Sequence, residues 1–164
     1  MKKRALITLG VVLALAATAS LLMALPAGAA SWAEKVTGGG QGRAGGVHFS
    51  ITVSAWDDGY GNAAGQMEYS REGQSAPDLS MHVTVACLYV DGDMAAAAGP
   101  ARAQNDPGGW VDPTKWVVVN IKEGGVGAGD TVRVYKAPPG EACGPPQGGF
   151  PGYIYDGNFN IRTK

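Results

Sequence analysis

Residues 46–56, G-V-H-F-S-I-T-V-S-A-W, alternate strictly between apolar and polar. Val47, Phe49, Ile51, Val53 and Ala55 fall on one phase, and His48, Ser50, Thr52, Ser54 and Trp56 on the other. A period of two matches a strand, in which successive side chains point to opposite faces, and not a helical repeat of 3.6. The segment therefore reads as a half-buried antiparallel strand with one solvated face. The same alternation returns at 65–71 (Met67 and Tyr69 inward), 130–136 (Val132 and Val134 inward) and 158–162 (Phe159 and Ile161 inward). Residues 115–122, K-W-V-V-V-N-I-K, are β-branched and strand-like. A weak first strand is expected at 34–37, before Gly38-Gly39-Gly40, and a short one at 153–155.

The longest strand candidate is 79–90, with Met81, Val83, Val85, Cys87 and Tyr89 on one phase and His82, Thr84 and Ala86 on the other. Asp91-Gly92 follows, the dipeptide favoured in a type I′ hairpin because both central residues need positive φ. That register sets Val90 opposite Asp93, Tyr89 opposite Met94 and Cys87 opposite Ala96. Residues 94–103 are then the partner strand. Its alanines favour a helix in isolation, but the turn before them and Gly99-Pro100 within them argue for a strand. Loops are expected at 103–114, at the glycine-rich 123–129 and at the Pro/Gly-rich 137–152. The 26 glycines and 10 prolines punctuate periodic segments, the mark of many turns between short strands. The expected fold is all-β, a single antiparallel β-sandwich or small closed β-barrel of about eight short strands, with no helix after the N-terminal segment.

That N-terminal segment points to export. Met1-Lys2-Lys3-Arg4 is basic, residues 5–25 are an uncharged and largely apolar run, and Pro26-Ala27-Gly28-Ala29-Ala30 offers small residues for cleavage after Ala29 or Ala30. Residues 1–29 thus read as a signal peptide and 30–164 as one secreted β-domain. The run exceeds the usual apolar stretch of about 7–15 residues, so an uncleaved anchor is the alternative. Three of the 13 bases, Lys2, Lys3 and Arg4, lie in the signal, which leaves ten against 14 acids. A mature chain of that charge, without a basic cluster, is a poor partner for nucleic acid or an anionic membrane surface. Cys87 and Cys143 are the two cysteines, and an exported chain without a C-x-x-C motif pairs them as a structural disulfide. The bridge closes a loop of about 57 residues, worth about 4 kcal/mol on the chain-entropy account.

The order of short motifs V-T-G-G-G-Q, V-H-F-S-I-T-V-S, G-Q-M-E-Y, V-T-V-A-C-L-Y-V-D-G-D-M-A, G-A-G-D-T-V, C-G-P-P and G-N-F-N-I-R resembles the small secreted bacterial β-domains called post-choice-of-anchor. The resemblance covers nearly all of the mature chain and implies export and a β-fold, but no established activity. Asp91-Gly92-Asp93 stands where G-N is usual, Lys122-Glu123-Gly124-Gly125 where D-N-G-E-P is usual, and the terminal histidine is absent.

Candidate chemistry is sparse. Asp57-Asp58-Gly59-Tyr60-Gly61-Asn62 and Asp91-Gly92-Asp93 hold oxygens for calcium, but neither carries the closing Glu of a calcium loop, and turn formation accounts for both. His48 and His82, the two histidines, fall on polar strand phases without a third ligand. Ser50 and Ser54 sit mid-strand rather than on a nucleophile elbow. The loop 123–129 lacks the Lys-Ser/Thr ending of a phosphate loop. Trp32, Trp56, Trp110, Trp116, Tyr153 and Tyr155 can either cap the ends of a small core or form a sugar- or protein-binding platform. No catalytic, cofactor or metal site is expected. The expected function is non-enzymatic, that of a monomeric exported module for binding, adhesion or envelope association, with an extracellular protein or glycan as partner. The alternative is a carbohydrate-binding accessory domain or a secreted hydrolase.

Overall fold

A computed structural model describes residues 32–73, 76–125 and 128–164; the expected signal helix and its cleavage site lie outside them. The unit covering residues 31–164 is a single antiparallel sheet of ten strands that curls around one core. The strands are β1 (Glu34–Ala44), β2 (Val47–Asp57), β3 (Ala63–Glu72), β4 (Leu79–Thr84), β5 (Cys87–Asp91), β6 (Met94–Gly99), β7 (Ala101–Asn105), β8 (Trp116–Lys122), β9 (Thr131–Ala137) and β10 (Gly152–Thr163). Their order in the sheet is β5-β6-β8-β9-β10-β1-β2-β3-β4-β7. One four-residue helix, α1 (Pro139–Ala142), lies in the loop expected to hold none. Among the described residues no helix is long and apolar enough to cross a membrane.

Ten strands replace the expected eight because a long hairpin is broken in the middle. The expected strand 79–90 divides at Val85-Ala86 into β4 and β5, and its partner divides at Pro100 into β6 and β7. Hydrogen bonds still cross the break, from Thr84 N–H to the Pro100 carbonyl and from Ala86 N–H to the Ala98 carbonyl. The Val85 N–H turns away to the Gly65 carbonyl on β3. Gly99 is required at this corner, since a Cβ there would lie 1.8 Å from the Thr84 carbonyl oxygen. One half of the bent hairpin pairs with β3 and the other with β8, so it contributes to both ends of the sheet. That is how the sheet curls.

The break also reverses the phase of β5. Met81, Val83 and Val85 face the main core, but beyond the corner Leu88 and Val90 do so, and Cys87 joins a second cluster with Ala98, Val118 and Ala142. Cys87 is therefore not inward as its alternation implied. The hairpin register corrects similarly: Asp91 pairs with Met94, Val90 with Ala95 and Cys87 with Ala98. The two-residue turn is Gly92-Asp93, and only Gly92 has positive φ (58°). Glycine first with positive φ, followed by an ordinary residue, is the type II′ pattern rather than type I′.

β2 keeps the expected alternation, with Phe49, Ile51, Val53 and Ala55 buried and His48, Ser50, Thr52 and Ser54 exposed. Beside it β1 is 11 residues long, not the short strand expected, because its glycine run pairs with β2 on one side and β10 on the other. Its inward glycines leave room for large neighbours: a Cβ on Gly42 would meet the Phe49 ring at 2.3 Å. The two short terminal strands expected are one, β10, paired with β1 along its length with a register shift at Gln41/Gly42. β8 is buried on both faces, which explains a β-branched run without alternation. Val117, Val119 and Ile121 enter the main core, and Val118 enters the second cluster.

The second cluster lies on the outer face of β5, β6, β8 and β9, under residues 138–150. The Cys87–Cys143 disulfide fastens this strap to β5, an edge strand in the sheet order, with Cα atoms 5.7 Å apart. Ala142 of α1 is tucked beneath it, and Trp116 and Tyr135 pack at its margin. Farther along, the Gln147 carbonyl accepts hydrogen bonds from Arg133 Nη1 (2.7 Å) and Asn120 Nδ2 (3.3 Å).

Candidate functional site

The strap covers one half of the outer surface. The other half, formed by β10, β1, β2, β3, β4 and β7, carries a polar face. The alternation that buries Ile51 and Val53 turns Ser50 and Thr52 outward. Pairing then aligns them in rows: Gln41 opposite Ser50 opposite Ser70 opposite Ser80, and Thr52 opposite Glu68 opposite His82 opposite Arg102. A groove of about 350 Å³ opens here, lined by Gln41, His48, Ser50, Ser70, Glu72 and Tyr155. Two smaller depressions continue it, one of about 210 Å³ sharing Ser50 and Ser70, the other of about 260 Å³ reaching Ser54 and Gln66; both share Thr52 and Glu68.

Several side chains of this face are already hydrogen-bonded. The hydroxyls of Ser50 and Ser70 bond across the β2–β3 pair at 2.8 Å. Arg43 Nη2 donates to His48 Nε2 at 2.8 Å, which leaves the other ring nitrogen as the one carrying the proton. His82 Nδ1 lies 3.8 Å from Glu68 Oε1. His48 and His82 thus share the polar face as their phases implied, but β3 separates their strands and each has its own partner. Among the described residues no three His, Cys, Asp or Glu side chains converge to hold a metal.

In the Asp57–Asn62 turn the carboxylates are occupied by the turn's own backbone. Asp57 Oδ1 accepts from Gly59 N–H, and Asp58 accepts from the N–H groups of Tyr60 and Asn62 and from Asn62 Nδ2. The Asn62 amide, before the backbone donors, holds the Asp58 carboxyl below the ordinary carboxylate range. Asp91 and Asp93 are exposed, and the Asp93 carbonyl accepts from Glu123 N–H, tying the hairpin to the next loop. The glycine-rich loop serves the sheet. Asp130 Oδ1 accepts from Gly124 N–H and Oδ2 from Phe159 N–H, while Glu123 Oε1 accepts from Ile161 N–H. Ser54 lines the depression of about 260 Å³ beside the groove.

The six aromatics are dispersed. Trp110 packs against the main core, with Lys136 Nζ 4.9 Å and the Arg71 guanidinium 5.9 Å from its ring centroid. Trp116 belongs to the second cluster, and Lys35 lies over Trp32. Trp56 is half-buried on the outer phase of β2. Tyr153 and Tyr155, each half-exposed, share one phase of β10, and Tyr155 borders the groove. Gln41, Ser70 and Glu72 complete the groove without having been singled out in the sequence. The outward phase of β3 was a signal for the latter two, but nothing short of the pairing register places them opposite β2. Searches against protein-family models, curated proteins and solved structures return no match to this chain.

Proposed function

We propose that the chain is exported, loses residues 1–29, and acts outside the cytoplasmic membrane as a monomeric, non-enzymatic binding module of the post-choice-of-anchor type. Its ligand would lie in the polar groove. The observation that carries this reading is the asymmetry of the outer surface. One half is sealed by a disulfide-held strap over Ala98 and Val118, and the other presents paired serines, a histidine and Tyr155 around an open groove. A Cys87–Cys143 bridge suits an oxidising compartment. With each kinked strand of the long hairpin counted once, the curled sheet would close as an eight-strand barrel, a rigid frame for a surface site.

Co-sedimentation with isolated cell envelopes tests the proposal, using the processed chain recovered after export. Wild type is expected to pellet with envelopes, and Ser50→Trp, which fills the groove from an exposed position, is expected to stay in solution. Equal pelleting of both, or none by wild type, would overturn the groove as the binding surface. Recovery of a chain beginning at Met1 would overturn processing.

A further inference from the structure

We infer that the groove accommodates a neutral oligosaccharide laid along β2, with one sugar ring against Tyr155; this rests on the groove being the binding surface. The lining combines hydroxyls, a carboxamide, a carboxylate and an imidazole, so it offers donors and acceptors together. A sugar hydroxyl needs both at once. The floor is built of short side chains, Ser50, Thr52, Ser54 and Ser70, which lose little rotamer freedom when a ligand settles on them. The Ser50–Ser70 bond already fixes two of them, which lowers the ordering cost of association.

The electrostatics favour an uncharged ligand. Arg43 is engaged with His48, and Glu68 lies near His82. Arg71 and Glu72, adjacent at the rim, are opposite in sign. A polyanion would meet Glu72 and Glu68, and a polycation Arg43 and Arg71. The shape is elongated: from His48 to Ser54 β2 advances about 20 Å at roughly 3.3 Å per residue, and the three depressions follow that line. Tyr155 supplies a half-exposed ring at one end, the surface on which the apolar C–H face of a sugar packs. A protein partner fits less well, because stable protein interfaces carry an apolar centre, and the middle of this face is formed by Ser50, Thr52, Glu68 and Ser70. β2 and β3 are also internal strands, so their backbones offer no free edge for an added peptide strand.

The test is an amide-shift titration by NMR of the exported chain with soluble neutral hexasaccharides of several linkages, glucose serving as the short control. At least one hexasaccharide should give saturable shifts confined to β1, β2, β3 and β10, with glucose far weaker. Tyr155→Ala leaves the core untouched and should weaken that binding at least tenfold; Ser50→Trp should abolish it. No shift with any hexasaccharide, shifts centred elsewhere, or unchanged affinity in Tyr155→Ala would overturn the inference. Failure of the broader reading is distinguishable. If wild type still pellets with envelopes whose glycans have been destroyed by periodate, while Ser50→Trp does not pellet, the face binds but its ligand is not a glycan. If Ser50→Trp pellets like wild type, the groove is not the binding surface.

Discussion

Asp130 Oδ2 accepts the backbone N–H of Phe159 at 2.5 Å, at a point where the ladder between β9 and β10 has already ended. That ladder consists of Val132 with Gly152 and Thr131 with Tyr153, continued by Ile154 N–H to the Asp130 carbonyl. Beyond it β10 diverges, and the N–H groups on its edge away from β1 need partners. Two carboxylates supply them: Asp130 at Phe159 and Glu123 at Ile161. Elsewhere the Val90 N–H of β5 is close enough to Glu34 on β1 to lower that carboxyl's pKa. At Phe159 and Ile161, carboxylates thus continue the backbone hydrogen bonding where β10 parts from β9.

The first prediction follows from that seam. Asp130 is buried and accepts from two backbone donors, Gly124 and Phe159. Asp130→Ala leaves both without a partner, and a hydrogen bond to a charged group is worth about 1.5–3 kcal/mol. Asp130→Ala should therefore lose at least about 3 kcal/mol in urea unfolding. Asp130→Asn keeps one acceptor and turns an amide donor toward the other N–H, so it should lose less. Equal stability of Asp130→Ala and wild type would show that the seam does not depend on the carboxylate.

Adjacent residues on β2 give the second. Val53 is buried, and Asp there would place an unpaired charge in the core. Val53→Asp should either fail to fold or lose more than about 4 kcal/mol. Thr52 is exposed but stands opposite Glu68. Thr52→Asp should cost up to about 1 kcal/mol through like-charge pairing, and Thr52→Lys should cost less. The expected order of denaturation midpoints is Thr52→Lys, then Thr52→Asp, with Val53→Asp far below. Equal tolerance at positions 52 and 53 would contradict the assigned faces.

β2 was legible because its polar phase is uninterrupted, and that phase supplies His48, Ser50, Thr52 and Ser54 to the groove. The bend at Val85-Ala86 was not, because V-T-V-A-C-L-Y-V is apolar on both phases and a one-residue change of phase leaves no trace in such a run. β1 was underread for the opposite reason. T-G-G-G-Q-G has no side-chain pattern, and its strand character comes from the partners that pair with it on both edges. Two groove residues, Gln41 and Tyr155, come from those poorly patterned strands, so the groove could not be assembled before the register was known.

The third prediction concerns pH. Burial first, and then repulsion from Asp57, raise the Glu34 carboxyl above its ordinary value of 4.5, against the opposing bond from Val90 N–H. Between 4.5 and the raised value the folded chain binds more protons than the unfolded chain, so stability rises as pH falls through that window. Asp58, Asp106 and Asp112 act in the opposite sense. Hydrogen bonds, chiefly from the Asn62 amide, the Val111 N–H and the Thr114 side chain respectively, hold all three below their ordinary value of 3.8. Their contribution is present above 3.8 and is lost as pH falls below it. Stability against pH should therefore pass through a maximum on the acid side of neutral. Glu34→Gln, which retains an acceptor for Val90, should raise stability at pH 7 and remove the acid-side gain. A Glu34→Gln profile parallel to wild type from neutral pH to that maximum would refute the assignment.

The last prediction separates the strap from the core. Cys87 faces outward, with Ala98, Val118 and Ala142 around it, while Leu88 and Val90 on the same strand face inward. Opening the bridge therefore releases residues 138–150 from the outer surface without disturbing the packing of Ile51, Val53 and Phe159. The crosslink spans a sequence separation of 56, and its loss relaxes a constraint on the unfolded chain worth about 2–5 kcal/mol. Cys143→Ser, or reduction of wild type, should lower stability by that amount. Hydrogen exchange should accelerate first in 138–150 and at Asn120, whose amide reaches the strap through the Gln147 carbonyl. Protection in β2 should persist until global unfolding. Had Cys87 pointed inward, as its alternation suggests, β2 and β4 would lose protection together with the strap. Loss in residues 47–57 before 138–150 would return the disulfide to the core and contradict the phase reversal at Val85-Ala86.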